Sequence, residues 1–260
     1  AIKNAQDKFF KAQKEVLDAS GYSDERYEKT LEMSSRTLTE YVLYRQIIIN
    51  KLKQIKPENS EADIHSLIVP MKKKLEKSNF MSDLYSNNAW LLDDKYMTYS
   101  TILSDKDMSE LIDVITEGEE KSQDDSRPDI ALVFSGNPQA KQKVDVVIIE
   151  LKKKGLISQL RQRARRLMKY YNDKIQRIWF YGIVEFNDEL KISILEDKYN
   201  ALYSNGSVYY KSIDVMTDLA TQKTIPAGIY LMDMNSFIND ADIRNSTFLK
   251  VIKCHFTKEE

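Results

Sequence analysis

Three features of this 260-residue chain predict an α/β (α+β) fold preceded by a helical segment. The first 56 residues carry few breakers and space their apolar side chains three and four apart, the period of a helix. Residues 130–134, 144–151 and 175–184 are instead rich in β-branched and aromatic side chains and are bounded by Gly, Pro, Asn or Asp, as strands are. Between the second and third of these runs lies SQLRQRARRLMKYYN, residues 158–172, long enough for about four helical turns. The local order is strand, strand, helix, strand.

The helical start divides at Ser20 and Gly21. Phe9, Phe10 and Val16 fit one segment, while Leu38, Tyr41, Val42, Tyr44, Ile47, Ile48, Ile49 and Leu52 fit a longer second one. It holds no catalytic constellation and reads as a scaffold with solvated charged faces. Pro57 ends it, so residues 1–56 are taken as a helical connector or dimerisation segment and residues 57–260 as a separate domain. Ser60 and Asp63 form the pattern of a capping box, and a short helix follows. Its Glu61, Ile64, His65 and Ile68 share one stripe, which sets a carboxylate on the same side as two isoleucines. Glu61 is either a first-turn acid favoured by the helix dipole, with His65 as its partner, or a functional group. Residues 87–104 are less regular, and the acidic residues 117–125 read as an exposed loop. Further strands are expected at 190–195, 208–213 and 227–231, and a closing helix at 236–250.

With 42% hydrophobic and 30% charged residues the chain can close a core, which excludes wholesale disorder. The net charge of -1 creates no global field toward nucleic acid or anionic lipid, so any such attraction must be local. No apolar run approaches the roughly 20 residues that span a bilayer, and no signal peptide opens the chain. A cytoplasmic protein without membrane contact is therefore expected. The single cysteine, Cys254, excludes an internal disulfide framework, and beside His255 it makes no CxxC-type zinc site. Both are expected to be packing residues. A chain that begins with Ala1 and enters a helix almost at once reads as a fragment of a longer protein.

The chemistry concentrates in residues 127–156, RPDIALVFSGNPQAKQKVDVVIIELKKKGL. Strand alternation sets Glu150 and Lys152 on one side, about 7 Å apart at two residue rises. Asp129 starts the preceding strand, directly after Pro128, and antiparallel pairing would bring its carboxylate beside Glu150. Two converging carboxylates repel unless a cation separates them. Mg²⁺, which accepts oxygen ligands and keeps several waters, suits such a pair, with Mn²⁺ as an alternative. A site of this kind fits phosphodiester hydrolysis, Lys152 orienting the attacking water or neutralising charge that develops on the phosphate.

Pro128-Asp129 followed by Glu150-Leu151-Lys152 resembles the PD-(D/E)xK nuclease signature, whose restriction-endonuclease-like core is a mixed central sheet flanked by helices. The stretches from Glu61 to Pro70, Asn88 to Asp94, Ser104 to Lys106, Ala227 to Asp233 and Asp242 to Phe248 are similar to the C-terminal nuclease module of some bacterial GHKL-type ATPases. The first of these helices and the strand bearing Glu150 also resemble Shedu-type defence nucleases. The resemblance spans residues 36–253, with weak identity between the motifs. It implies a Mg²⁺-dependent deoxyribonuclease in anti-phage defence, or an effector module for a GHKL-type ATPase in the same or another chain. Asp129, Glu150 and Glu61 match the metal-binding acids, Lys152 the catalytic lysine, and Gln159 a glutamine that holds the site or the substrate backbone. Gln162 is an alternative in the same helix, and Arg163 stands where the family has a tyrosine.

Local positive charge is supplied by Lys152, Lys153, Lys154, Arg161, Arg163, Arg165, Arg166 and Lys169, opposite a buried stripe of Leu156, Leu160, Ala164, Leu167 and Tyr171. Such a cluster favours a DNA backbone without reading its sequence. Two rivals stand beside the enzyme: a nuclease-like fold that only binds nucleic acid or protein, and a basic helix that docks on an acidic partner such as residues 117–125 of its own chain. The helical start either links the domain to an ATPase module or forms a homodimer interface.

Overall fold

The computed structural model describes residue 11 and residues 24–55, 60–120, 122–134, 143–151, 156–167, 170, 173–202, 204 and 206–256. Phe9, Phe10, Val16 and the break at Ser20 and Gly21 lie outside them. The chain divides into a smaller unit, residues 1–50 with 243–260, and a larger one, residues 51–242. The boundaries differ from the single division at Pro57, because the end of the closing helix groups with the N-terminal helix.

The smaller unit contains most of α1 (Asp24–Lys53) and the end of α7 (Met234–Phe256). Buried Asn245 joins them, its amide donating to Gln46 Oε1 at 2.9 Å and to the Val42 carbonyl at 3.3 Å. Val42, Ile48 and Ile49 are buried, whereas Leu38 and Ile47 of the same apolar pattern are exposed. Cys254 is exposed, not a packing residue; the His255 side chain is outside the described residues.

The larger unit is an eight-stranded mixed sheet flanked by helices. In chain order its elements are α2 (Glu61–Ile68), β1 (Lys74–Glu76), α3 (Phe80–Asp83), β2 (Thr101–Ser104), α4 (Met108–Ile115), β3 (Ile130–Phe134), β4 (Val144–Glu150) and α5 (Leu156–Leu167). They continue with β5 (Ile175–Val184), α6 (Asp188–Glu196), β6 (Asn200–Ala201), β7 (Val208–Asp218), β8 (Lys223–Asp233) and the start of α7. Strands β1 to β4 pair antiparallel, β4-β5 and β5-β8 are parallel, and β8-β7-β6 returns to antiparallel pairing. The parallel centre explains why β4 is almost continuously apolar: a strand covered on both faces has no solvent side to mark.

On one face α4 and α5 set Leu111, Ile112, Leu156, Leu160 and Leu167 against Val133, Val146, Ile148, Ile178 and Ile229. Burying each such side chain stabilises the fold by about 1.5–3 kcal/mol relative to exposure. On the other, Tyr96 packs edge-on to Phe134 and Tyr181, and its hydroxyl meets that of Tyr181 at 2.7 Å. Burial holds both phenols neutral by pushing their pKa values up.

The capping box at Ser60 and Asp63 is present and starts α2. Residues 190–195, expected as a strand, lie within helix α6. Asn187 accepts the Leu190 amide as its N-cap, and Asp188 and Glu189 occupy its first turn, so local capping overrides a short apolar alternation. Helix α4 and strand β2 were not anticipated. The latter is only four residues long and is defined by its pairing with β3.

Gly182 positions α5. It lies opposite Glu150 in the β4-β5 register, and a Cβ there would meet Leu156 Cδ2 at 2.4 Å and Leu231 Cδ2 at 2.9 Å. The helix start therefore packs directly on backbone beside the acid. Gly182→Ala is expected to destabilise the protein by about 1–3 kcal/mol through overpacking, measured by urea denaturation.

Candidate active site

Asp129 is held from both sides. Its carbonyl accepts the Asp105 amide at 2.8 Å, and its carboxylate Oδ2 accepts the Leu151 amide at 2.7 Å. Ile130 pairs with Ile149, so one further step of the ladder sets Asp129 opposite Glu150. The two acids thus share one end of adjacent antiparallel strands.

Glu150 lies on the β4 face that bears Val146 and Ile148, beneath α5, and is 0% exposed. Each of its oxygens accepts a side chain from that helix. Arg163 Nε donates to Oε1 at 2.9 Å, and Gln159 Nε2 donates to Oε2 at 3.1 Å. The two donors are four residues apart, one helical turn, which lets both reach one carboxylate. Arg163 is itself 4% exposed, and its Nη2 also donates to the Arg127 carbonyl at 2.5 Å. A buried carboxylate is costly unless paired and hydrogen-bonded, and Arg163 supplies the charge that balances this one.

Helix α2 reaches the same end of the sheet through His65, whose Nε2 lies 2.8 Å from Ser104 Oγ, at the end of β2. Burial lowers the His65 pKa, and the carboxylates of Asp129 and Asp105 oppose that shift only in part. The net shift favours the neutral ring. Asp105 adopts a left-handed backbone (φ 49°) where β2 ends, and its amide fixes Asp129. Glu61 stands exposed at the first position of α2. Among the described residues no three His, Cys, Asp or Glu side chains gather closely enough to hold a metal ion.

An open cleft of about 950 Å³ borders Gln159 and Arg163 and is lined further by Asp125, Ser126, Arg127, Ser158, Arg161, Gln162 and Arg165. Of the two glutamines, Gln159 donates to Glu150, and Gln162 is exposed on the cleft wall.

The cations of α5 do not act as one solvated face. Arg163 points inward to Glu150, because its position belongs to the buried stripe with Leu160, Ala164 and Leu167. Arg161 donates to Asp197 at 3.2 Å, and Arg165 is exposed. Arg166 pairs with Asp124 and donates to Ser126 Oγ at 2.8 Å. Burial pushes the Asp124 pKa up, but hydrogen bonds from Ser126 and Arg166 outweigh it and hold the carboxyl below its usual range. The Tyr170 hydroxyl donates to Glu120 at 3.0 Å, and Lys174 meets Glu119 at 2.6 Å. At its C-terminal end the basic helix therefore does rest on the acidic segment of its own chain. Lys152, Lys153, Lys154, Lys169 and Tyr171 lie outside the described residues.

Sequence reasoning missed the Arg163-Glu150 pair and the clasp from Asp105. The first had a signal, an arginine at helical spacing on an apolar stripe. The second depends on a turn conformation that spacing does not encode. Among the described residues no helix is long and apolar enough to cross a membrane. Compared with protein-family models, curated proteins and solved structures, the chain matches none.

Proposed function

We propose that this chain is a metal-dependent nuclease that hydrolyses DNA phosphodiester bonds. The observation that carries the reading is the position of Asp129 across from Glu150 at one end of antiparallel β3 and β4, with Gln159 bonded to Glu150. The mixed sheet flanked by helices adds support, since that is the core the PD-(D/E)xK resemblance implies.

The donor set fits Mg²⁺ or Mn²⁺ in kind: two hard carboxylates, one braced against a backbone amide, with an open cleft on the far side of Gln159 and Arg163. Such an ion, when bound, stabilises charge on the phosphate and acidifies a water. The chain's own residues do the rest. Asp129 and Glu150 bind, Gln159 orients the Glu150 carboxylate, and Arg165 with Arg161 faces the sugar-phosphate backbone. Lys152 is assigned to the attacking water, and Glu61 to a supporting role from α2. A place in anti-phage defence, or as effector of a GHKL-type ATPase, rests on the resemblance alone.

One observation favours the rival reading of a module that binds without cutting: both Glu150 oxygens already accept side chains. Supercoiled plasmid incubated with the full chain separates the two. Nicking or linearisation with Mg²⁺ that EDTA abolishes is expected. DNA retention with neither cleavage nor a calorimetric Mn²⁺ signal would establish the rival.

A further inference from the structure

We propose that Arg163 is a resident cation that closes the acidic site, and that a divalent ion binds Glu150 only when the guanidinium swings out toward the cleft. The inference rests on the metal-dependent reading above and adds to it a gate made of the chain's own side chain.

Four observations point to it. Glu150 is fully buried and cannot be left without a positive partner, so guanidinium and metal ion are alternative occupants of one role. Arg163 Nε bonds a single Glu150 oxygen, while Nη2 is committed elsewhere, to the Arg127 carbonyl. That carbonyl belongs to the residue before Pro128-Asp129, so the same head group bridges the Glu150 carboxylate and the approach to β3. Finally, Arg163 lines the open cleft although it is almost wholly buried, so there is space on that side for its flexible side chain to turn into. Gln159 keeps its bond to the second oxygen in either state and preserves the carboxylate's orientation. Outside, the guanidinium joins Arg161 and Arg165 on the cleft wall, where it meets phosphate. The residue is thus a positioning and gating group, not a catalytic one.

A gate lowers apparent metal affinity by the fraction of molecules that are open; if about a tenth or fewer are open, removing it tightens the apparent Kd at least tenfold. Thermal unfolding of the full chain tests this in EDTA and across a Mn²⁺ titration, with the parent, Arg163→Met and Arg163→Met/Glu150→Gln. Arg163→Met is expected to respond to Mn²⁺ at a concentration about tenfold lower than the parent and to regain stability lost in EDTA. Adding Glu150→Gln is expected to erase that response. An Arg163→Met midpoint equal to or above the parent's overturns the gate. If the parent nonetheless cleaves DNA, the nuclease reading survives that result; if no variant responds to Mn²⁺ and the parent does not cleave, both fall. Should Arg163→Met not fold, Arg163→Lys, which keeps the charge on a shorter reach, is expected to show a lowered midpoint, and an unchanged one overturns the gate.

Discussion

Asp129→Asn is expected to leave the chain folded and to reduce Mg²⁺-dependent cleavage by about 100-fold or more, as loss of a pre-placed charged group does at other sites. The substitution separates two roles of one side chain. An asparagine Oδ1 can still accept the Leu151 amide, and the Asp129 carbonyl still accepts the Asp105 amide, so the β3-β4 register and the end of β2 keep their bonds. What disappears is one negative charge facing the proposed ion. At about 1.4 kcal/mol per tenfold in rate, a 100-fold loss corresponds to roughly 3 kcal/mol of transition-state stabilisation. Plasmid cleavage paired with a thermal melt measures both quantities. Undiminished cutting would falsify the role of Asp129 at the metal. A collapsed melting temperature would make the residue a structural clasp first, and activity would then need to be compared at matched folded fraction.

The parts of this site that could be read in the sequence are those set by periodicity. Alternation along residues 144–151 puts Glu150 on a definite face, and a proline before Asp129 marks where the neighbouring strand begins. Register does not follow from alternation here, because both strands are buried on both faces and a one-residue slip exposes neither apolar set; the pairing of Ile130 with Ile149 supplies it. Periodicity found β5, β7 and β8 in place, with shorter limits for the last two. It failed where local chemistry competes with periodicity. Ile192, Ser193 and Ile194 alternate like a strand, yet Asn187 caps a helix through them, and only the cap distinguishes the two. The short β1 and β2 carry too few residues to declare a period and exist through their partners.

Charge was harder to read than hydropathy. The arginines of α5 share a name and a segment but have four different surroundings: Arg161 with Asp197, Arg163 with Glu150, Arg165 exposed, and Arg166 with Asp124. Exposed pairs of this kind contribute about 0–1 kcal/mol, so a phosphate backbone can compete for Arg161. Arg163 differs in kind, because desolvation makes its pairing with Glu150 obligatory in the absence of another cation.

That difference predicts a large non-additivity. Glu150→Leu alone is expected to destabilise the protein by about 3–5 kcal/mol, since it strands a buried guanidinium and leaves Gln159 facing hydrocarbon. Arg163→Met alone strands the carboxylate and is expected to cost a similar amount in EDTA. The double variant Glu150→Leu/Arg163→Met replaces the ion pair with apolar side chains beneath α5, next to Ile148 and Leu160, and is expected to return close to the parent in stability. Urea denaturation of the four proteins gives the coupling directly, as the amount by which the double variant is more stable than the sum of the singles requires. Near-additive losses would mean that the two heads are solvated independently. Cleavage provides the opposing readout: the double variant is expected to be stable and inactive, because an apolar pair restores packing but offers no oxygen to a metal ion. Stability alone would then have no need of Glu150, and its burial beneath an arginine instead of a leucine would be explained by the chemistry it serves when that arginine moves away.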